Sequence, residues 1–137
     1  MSTGASTIIP TLRYRQAGKA ITWLCEAFGL HRHLVVEGEG ERIDHAQLSF
    51  PGGGMIMLGS VREDDDSVAP GPASFYVVLA GGDAEVDAHC ARARAAGAEI
   101  TMAPADQDHG GRLYGCRDLE GNIWAFGSYD PWAQPQA

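Results

Sequence analysis

The sequence predicts an α+β fold made of two βαβββ modules, and three observations support this prediction. Residues 51–60 (PGGGMIMLGS) align with residues 119–128 (LEGNIWAFGS) at a shift of 68 positions. The same shift places Gly29 on Gly97, and each glycine follows a segment with apolar residues at helical spacing. Strand-like runs surround both helical segments in the same order. The chain therefore contains one strand, helix and three-strand unit twice.

The first module, residues 7–60, begins with a strand-like run at residues 8–14. A helix follows, and Gly29 ends it as a left-handed cap. The apolar stripe of this helix consists of Ala17, Ala20, Leu24 and Phe28. Three more strands are predicted at residues 34–37, 43–50 and 55–58, with turns at Gly38, Gly40 and residues 51–54.

The second module, residues 73–128, repeats this order from a strand at residues 74–79. Asp83 is the predicted N-cap of its helix, and Gly97 ends that helix. The apolar stripe consists of Val86, Cys90 and Ala93. The later strands are predicted at residues 99–102, 112–117 and 122–126, with a turn at residues 118–121.

Residues 61–72 (VREDDDSVAPGP) separate the modules and have the composition of a linker. Their acidic run offers carboxylates to a cation, but a solvated, self-repelling loop is the better interpretation. Residues 129–137 form a tail. Its Tyr129 and Trp132 either cover a cavity, pack on a partner chain or cap the core, and the sequence leaves these options open.

The length and composition indicate one domain spanning residues 1–137, because a chain of 137 residues that is 45% hydrophobic can bury a hydrophobic core. A net charge of −8 repels nucleic acid and anionic membranes, so we expect neither as a partner. The sequence has three cysteines, Cys25, Cys90 and Cys116, and none of them belongs to a CxxC motif. This pattern is typical of free thiols in a reducing compartment. No signal peptide and no apolar run of about 20 residues is visible, so we expect a cytoplasmic protein.

Two segments resemble the vicinal oxygen chelate superfamily, which includes glyoxalases, bleomycin-resistance proteins and dioxygenases. They are residues 10–28 (PTLRYRQAGKAITWLCEAF) and residues 111–127 (GRLYGCRDLEGNIWAFG). Asp118, Gly121 and Asn122 fit the closing turn of the family, while Leu119 stands where proline is usual. The resemblance implies that the two modules form an incomplete barrel around a cavity, often within a homodimer.

Metal-dependent members of this family hold one divalent cation with four ligands, usually His and Glu, on the first and last strands of both modules. The resemblance carries these positions onto Ile9, Met57, Ser74 and Ala125. The third position falls on or beside Ser74, because Gly81 and Gly82 allow the register to differ by a residue or two. None of the four residues is a His or Glu, isoleucine and alanine cannot coordinate, and a thioether is a poor ligand for a hard cation. We therefore expect no divalent metal and no other cofactor.

Strand alternation then predicts which side chains line the cavity. The predicted ligand-binding residues are Arg13, His45, Gln47, Met57, Tyr76, Arg112 and Tyr114. Such a mixture of apolar, aromatic and a few polar groups is typical of a small-molecule pocket. The alternative is a solvated sheet face whose residues pair only with their neighbours.

His45 and Tyr76 are the catalytic candidates. His45 can act as a general base, but we favour a hydrogen-bonding role without proton transfer because no nucleophile or metal partner is identifiable. We interpret His31 and His33 as exposed polar residues rather than a metal clip, and His89 as structural. His109 is expected near the cavity mouth.

Two functions fit this sequence. We expect metal-free binding of a small organic molecule, an antibiotic or a metabolite, as in the bleomycin-resistance branch, with a second copy of the chain as the protein partner. The alternative is a lyase, isomerase or dioxygenase that acts on a small carboxylate, aromatic or thiol-adduct substrate. In that enzyme Arg13 and Arg112 would hold a carboxylate or phosphonate. Whether the protein is an enzyme is left open.

Overall fold

The computed structural model describes residues 6–64 and 70–133. The predicted linker at 61–72 and the predicted tail at 129–137 therefore lie partly outside the described residues. The first module contains β1 (Thr11–Tyr14), α1 (Ala17–Phe28), β2 (His31–Glu37), β3 (Ile43–Ser49) and β4 (Met55–Ser60). The second contains β5 (Ser74–Val78), α2 (Asp83–Ala95), β6 (Glu99–Asp106), β7 (Arg112–Arg117) and β8 (Ile123–Gly127).

The predicted α+β fold with two βαβββ modules is confirmed. Sheet 1 has the strand order β1-β4-β3-β2, and sheet 2 has the equivalent order β5-β8-β7-β6. In each sheet the first strand pairs with the last in parallel, and the other pairs are antiparallel. The two sheets are separate and do not close into a barrel. Among the described residues, no strand pairs with the second edge of β1 or of β5.

The helix α1 follows its prediction closely. The four residues of its apolar stripe are buried, and the helix ends at Phe28. Gly29 adopts a φ of 75°, which favours glycine, and its N–H bonds the carbonyl oxygen of Cys25.

The predicted start of α2 is wrong by one position. Gly82, with a φ of 86°, is the N-cap, and Asp83 is the first helical residue. Asp83 makes no capping bond, and its Oδ1 accepts a hydrogen bond from Oγ of Ser128 at 2.7 Å. The predicted stripe of Val86, Cys90 and Ala93 is buried.

One hydrophobic core joins the two modules, and both helices lie within it. The helices contact each other directly. Nε1 of Trp23 in α1 donates to the carbonyl oxygen of Ala96 at 2.7 Å, and Nε of Arg92 in α2 donates to that of Glu26 at 2.7 Å. The helix-facing side of each sheet is buried in this core, and we call the opposite sides the outer faces. Neither helix in the described part of the chain is long and apolar enough to cross a membrane.

Candidate functional site

The outer face of sheet 1 brings together four of the predicted ligand-binding residues. Met57 on β4 lies opposite Gln47 on β3 and opposite Thr11 on β1. His45 lies two residues from Gln47 on the same face, and the Gln47 amide nitrogen is 2.9 Å from Nε2 of His45. This contact holds the imidazole and the amide side by side, with Nε2 of His45 as the acceptor.

Arg13 completes this face. Its register partner on β4 is Gly59, and the arginine side chain crosses β4 at that glycine. A Cβ atom at Gly59 would lie 2.6 Å from Nη1 of Arg13. The absence of a side chain at Gly59 therefore leaves room for the Arg13 guanidinium beside β4.

The outer face of sheet 2 presents Tyr76. This residue lies opposite Ala125, and its ring covers Gly127, where an added Cβ would be 2.7 Å from the tyrosine hydroxyl. The hydroxyl donates to the carbonyl oxygen of Tyr129 at 2.5 Å. Burial and the charge of Asp130 raise the pKa of Tyr76. The hydroxyl is therefore protonated and engaged, so Tyr76 offers a ligand its ring rather than a proton.

The predicted placement of Arg112 and Tyr114 on the same face as Tyr76 is wrong. Tyr114 pairs with Phe126 and is fully buried on the helix-facing side. Its hydroxyl lies 2.6 Å from Nδ1 of His89.

Arg112 also points to the helix side. Its Nε lies 2.8 Å from Oδ1 of Asp87 on α2, and its Nη1 lies 3.1 Å from Oδ1 of Asp106. The repeat itself contained this information, because a shift of 68 places Tyr114 on Ala46, a residue whose side chain faces the core. Residues of the odd-numbered series, such as Gly115, face outward instead.

The positions of the family's metal ligands do not fit a divalent cation. Met57 lies opposite Thr11, and Ala125 lies opposite Tyr76, so the two equivalent strand pairs offer a thioether, two hydroxyls and a methyl group. Ser74 lies opposite Ile123, and Ile9 precedes β1. Within residues 6–64 and 70–133 no group of three or more His, Cys, Asp or Glu side chains could hold a metal ion.

Both outer faces expose apolar side chains beside these polar groups. On sheet 1, Leu34 is 44% exposed opposite Gln47, and Val36 is 42% exposed opposite His45. On sheet 2, Tyr76 is 43% exposed, and Ile123 and Met102 are exposed to a similar extent. Apolar side chains concentrated on one face, rather than scattered singly, indicate a surface that binds something.

The remaining predicted residues lie away from these faces or at their rims. His31 and His33 are exposed, and a register shift between Arg32 and Leu34 interrupts the alternation there. His109 contacts Tyr129 edge to face at a centroid distance of 5.1 Å, and Trp132 is 95% exposed.

Sequence reasoning missed a cavity of about 690 Å³ between the modules, on the helix-facing side of β5. We call it the aromatic cavity. Its aromatic lining consists of Phe28, Phe50, Phe75, Tyr76, His89, Trp124, Phe126 and Trp132. The repeat gave the available signal for these aromatic residues. Trp124 and Phe126 are equivalent to Ile56 and Leu58, so the second module has large rings where the first has aliphatic side chains.

Comparison with known proteins agrees with this architecture. The sequence profile of the Glyoxalase/Bleomycin resistance protein/Dioxygenase superfamily matches residues 8–126. The chain belongs to this superfamily. The crystal structure of TioX from Micromonospora sp. ML1 is similar with a TM-score of 0.74 and 34% identity, covering 89% of this chain and 97% of that chain. No curated protein sequence matches the chain.

Solved structures of lower sequence identity share the fold. Lactoylglutathione lyase from Agrobacterium tumefaciens has a TM-score of 0.70 at 21% identity, covering 95% of this chain and 98% of that chain. A glyoxalase/bleomycin resistance protein/dioxygenase from Nocardioides has a TM-score of 0.67 at 18% identity, covering 99% and 91%. At these identities the likeness concerns the fold alone.

Proposed function

We propose that this protein binds a small organic molecule, an antibiotic or a metabolite, without a metal ion. One observation carries the proposal. The outer faces place exposed apolar side chains beside fixed polar groups at the positions where metal-dependent relatives hold their ligands, and the residues there do not fit a cation. A lining that is mostly apolar, with a few oriented polar groups, is what small-molecule recognition requires.

The polar groups on these faces suit binding more than chemistry. His45 has an amide partner, Gln47, rather than the carboxylate that would orient a general base. Arg13 supplies a planar donor fork, and Tyr76 supplies an aromatic surface. A ligand with a carbonyl or similar acceptor near Arg13 and an apolar body over Met57 matches this set.

We also propose a homodimer as the form that binds. Within one chain the outer faces lie on separate sheets joined through the helices, and the described residues of each face include exposed apolar side chains. A two-fold arrangement of two copies would place the outer face of sheet 1 in one copy against that of sheet 2 in the other, twice over. The exposed apolar side chains of the outer faces support this arrangement.

The enzymatic alternative is weaker than the sequence suggests. Arg13 and Arg112 together would suit a carboxylate or phosphonate substrate, but Arg112 is engaged by Asp87 and Asp106 on the other side of sheet 2. We also propose a cytosolic location, because Cys25, Cys90 and Cys116 are free thiols.

A thermal-shift screen tests the proposed function. The panel consists of cationic glycopeptides, aromatic natural products, thiol adducts and small carboxylates, each added with a chelator and again with Ni, Zn, Mn, Fe or Co. A ligand at a hundred times its Kd stabilises the protein by about 2.7 kcal/mol. We expect at least one organic compound to stabilise the protein equally with and without metals. Stabilisation that requires a metal would contradict the proposal.

Variants locate the binding site. His45→Ala and Gln47→Ala should weaken a compound found by the screen, while the matched control His33→Ala, on an exposed residue of β2, should not. Sedimentation should give twice the mass of the chain, and Ile123→Lys should reduce both the dimer and the affinity. A monomer that binds with undiminished affinity would remove the second copy from the site.

A further inference from the structure

The aromatic cavity is distinct from the outer faces. It lies between the β3–β4 turn of the first module and the inner side of β5 in the second, with the end of α1 at its base. Of the predicted ligand-binding residues that stand on the outer faces, only Tyr76 borders it. Its volume of about 690 Å³ lies within the range of roughly 300–1,000 Å³ typical of small-molecule pockets.

A continuous group of rings forms one wall of the cavity. Phe75 and Trp124 have centroids 4.4 Å apart, and Phe28 lies 5.1 Å from Trp124. Phe28 and Trp124 are buried and fixed by the core, whereas Phe75 and Phe50 are half-buried at the cavity surface. Aromatic rings held in this way favour a flat aromatic guest, because offset or edge-to-face ring pairs add to the gain from burial alone.

The polar groups of the lining restrict the charge of the guest. Burial lowers the pKa of His89, and its Nδ1 is engaged by Tyr114. Glu85 is half-buried in the lining, and no Lys or Arg of the described residues borders the cavity. A carboxylate beside aromatic faces attracts a cation and repels an anion.

The edge of β5 adds directional hydrogen bonding. In a parallel pair, alternate residues of a strand bond to the neighbour. Because the carbonyl of Ala73 and the N–H of Leu79 bond to β8, the backbone groups of Tyr76 and Val78 point to the open edge. Both residues border the cavity, so the edge offers donors and acceptors to polar groups on the rim of a flat molecule.

We infer that the aromatic cavity is a second ligand site, which takes a planar aromatic molecule that is neutral or carries a positive charge. This site does not depend on the outer faces, on a second copy of the chain or on the ligand proposed there.

Three tricyclic probes of equal shape test the inference by fluorescence titration: 9-aminoacridine as the cation, acridine as the neutral form and anthracene-9-carboxylate as the anion. We expect a stoichiometry of one bound molecule per chain, with 9-aminoacridine binding most tightly and the anion most weakly. Phe75→Leu and Phe50→Leu should each weaken 9-aminoacridine and acridine by about 3- to 10-fold, since each removes one ring from the wall.

Glu85→Gln should weaken 9-aminoacridine by about 3- to 10-fold and leave acridine unchanged. The matched control Glu26→Gln makes the same change in net charge on an exposed part of α1 and should alter neither probe. Circular dichroism shows whether each variant is folded.

Three results would overturn the inference. The first is the absence of binding by all three probes, and the second is binding that both phenylalanine variants leave unchanged. The third is binding that falls as the protein dimerises at higher concentration, which would assign the cavity to the second copy. His45→Ala and Gln47→Ala report on the outer faces separately, so failure of the proposed function and failure of this inference are distinguishable.

Discussion

The junction between the two modules has two sides, and they are built on equivalent positions of the repeat. Phe50 and Asp118 are equivalent under the shift of 68. Phe50 directly follows β3 and Asp118 directly follows β7, and each begins the last turn of its module. Asp118 is buried in a hydrogen-bonded network, whereas Phe50 borders the aromatic cavity. The same turn therefore fastens the modules together in one copy and leaves space for a guest in the other.

The network around Asp118 satisfies its carboxylate from both modules. The hydroxyl of Tyr14 on β1 donates to Oδ2 at 2.6 Å, and Nε1 of Trp124 donates to the same oxygen at 3.0 Å. The backbone N–H groups of Glu120 and Asn122 donate to Oδ1. A buried charge is stable only when it is bonded this completely. This side of the junction is thus a structural contact rather than a binding site.

The largest effect is expected from removing this carboxylate. Asp118→Ala leaves the hydroxyl of Tyr14 and the indole N–H of Trp124 buried without acceptors, and should lower the free energy of unfolding by about 3–5 kcal/mol. Urea unfolding followed by circular dichroism measures the change. The control Asp108→Ala, on an exposed loop, should change it by less than about 0.5 kcal/mol. A loss below about 1 kcal/mol for Asp118→Ala would show that the network does not hold the modules together.

A smaller effect is expected from the other partner of the same contact. Tyr14→Phe removes one hydrogen bond to a charged group and leaves the other donors to Asp118 in place, so it should cost about 1.5–3 kcal/mol. The comparison variant Tyr129→Phe removes the hydroxyl of a half-buried tyrosine in the tail and should be nearly neutral. Equal losses in the two variants would contradict the assignment of the Tyr14 contact as a junction bond.

The pH dependence of stability gives a third test. Burial and the charge of Asp118 raise the pKa of Tyr14 above its ordinary value, and burial raises the pKa of Tyr114. Above pH about 10 the unfolded chain loses these protons while the folded chain keeps them. The contribution of each of these tyrosines to stability is therefore complete below that pH and falls above it by about 1.4 kcal/mol per pH unit. Tyr14→Phe should therefore reduce the alkaline slope of stability, measured by urea unfolding, by the contribution of one tyrosine, and an unchanged slope would contradict the account.

The smallest effect is expected on the open side of the junction. Phe50→Leu keeps an apolar side chain of similar volume at a half-buried position and should cost less than about 1.5 kcal/mol. Leu58→Ala, in the closed core of sheet 1, provides the reference and should cost about 2–5 kcal/mol. If Phe50→Leu cost as much as the core variant, the cavity wall would be part of the close-packed core, and the contrast between the two sides would be lost.

The sequence was sufficient for the modules, because an internal repeat and two helical stripes define the order of elements. It was also sufficient for the outer face of sheet 1, where His45, Gln47 and Met57 stand on one side as alternation predicts. The prediction from strand alternation failed on β7, because alternation shows which residues share a face but not which of the two faces is the outer one. The polar groups of Arg112 and Tyr114 favour the outer side, but the hydroxyl of Tyr114 is bonded to His89 inside the core.

The aromatic cavity could not be predicted in the same way. Its walls come from both modules, and no pattern within one module tells which of its apolar residues meet a neighbour and which face a void. Asp118 shows the same limit, since the turn predicted from residues 118–121 gave no sign that its carboxylate reaches Tyr14, which is 104 positions away. Long-range packing, rather than local propensity, decides both features.

The central claim is that the outer faces bind an organic molecule without a metal ion. Anomalous scattering from crystals soaked with Ni, Zn, Mn, Fe or Co, together with a compound from the thermal-shift screen, tests it most directly. We expect the compound to lie between the outer face of sheet 1 in one copy and that of sheet 2 in another, with no anomalous peak beside Met57 or Ala125. A stoichiometric metal peak on these strands would contradict the account.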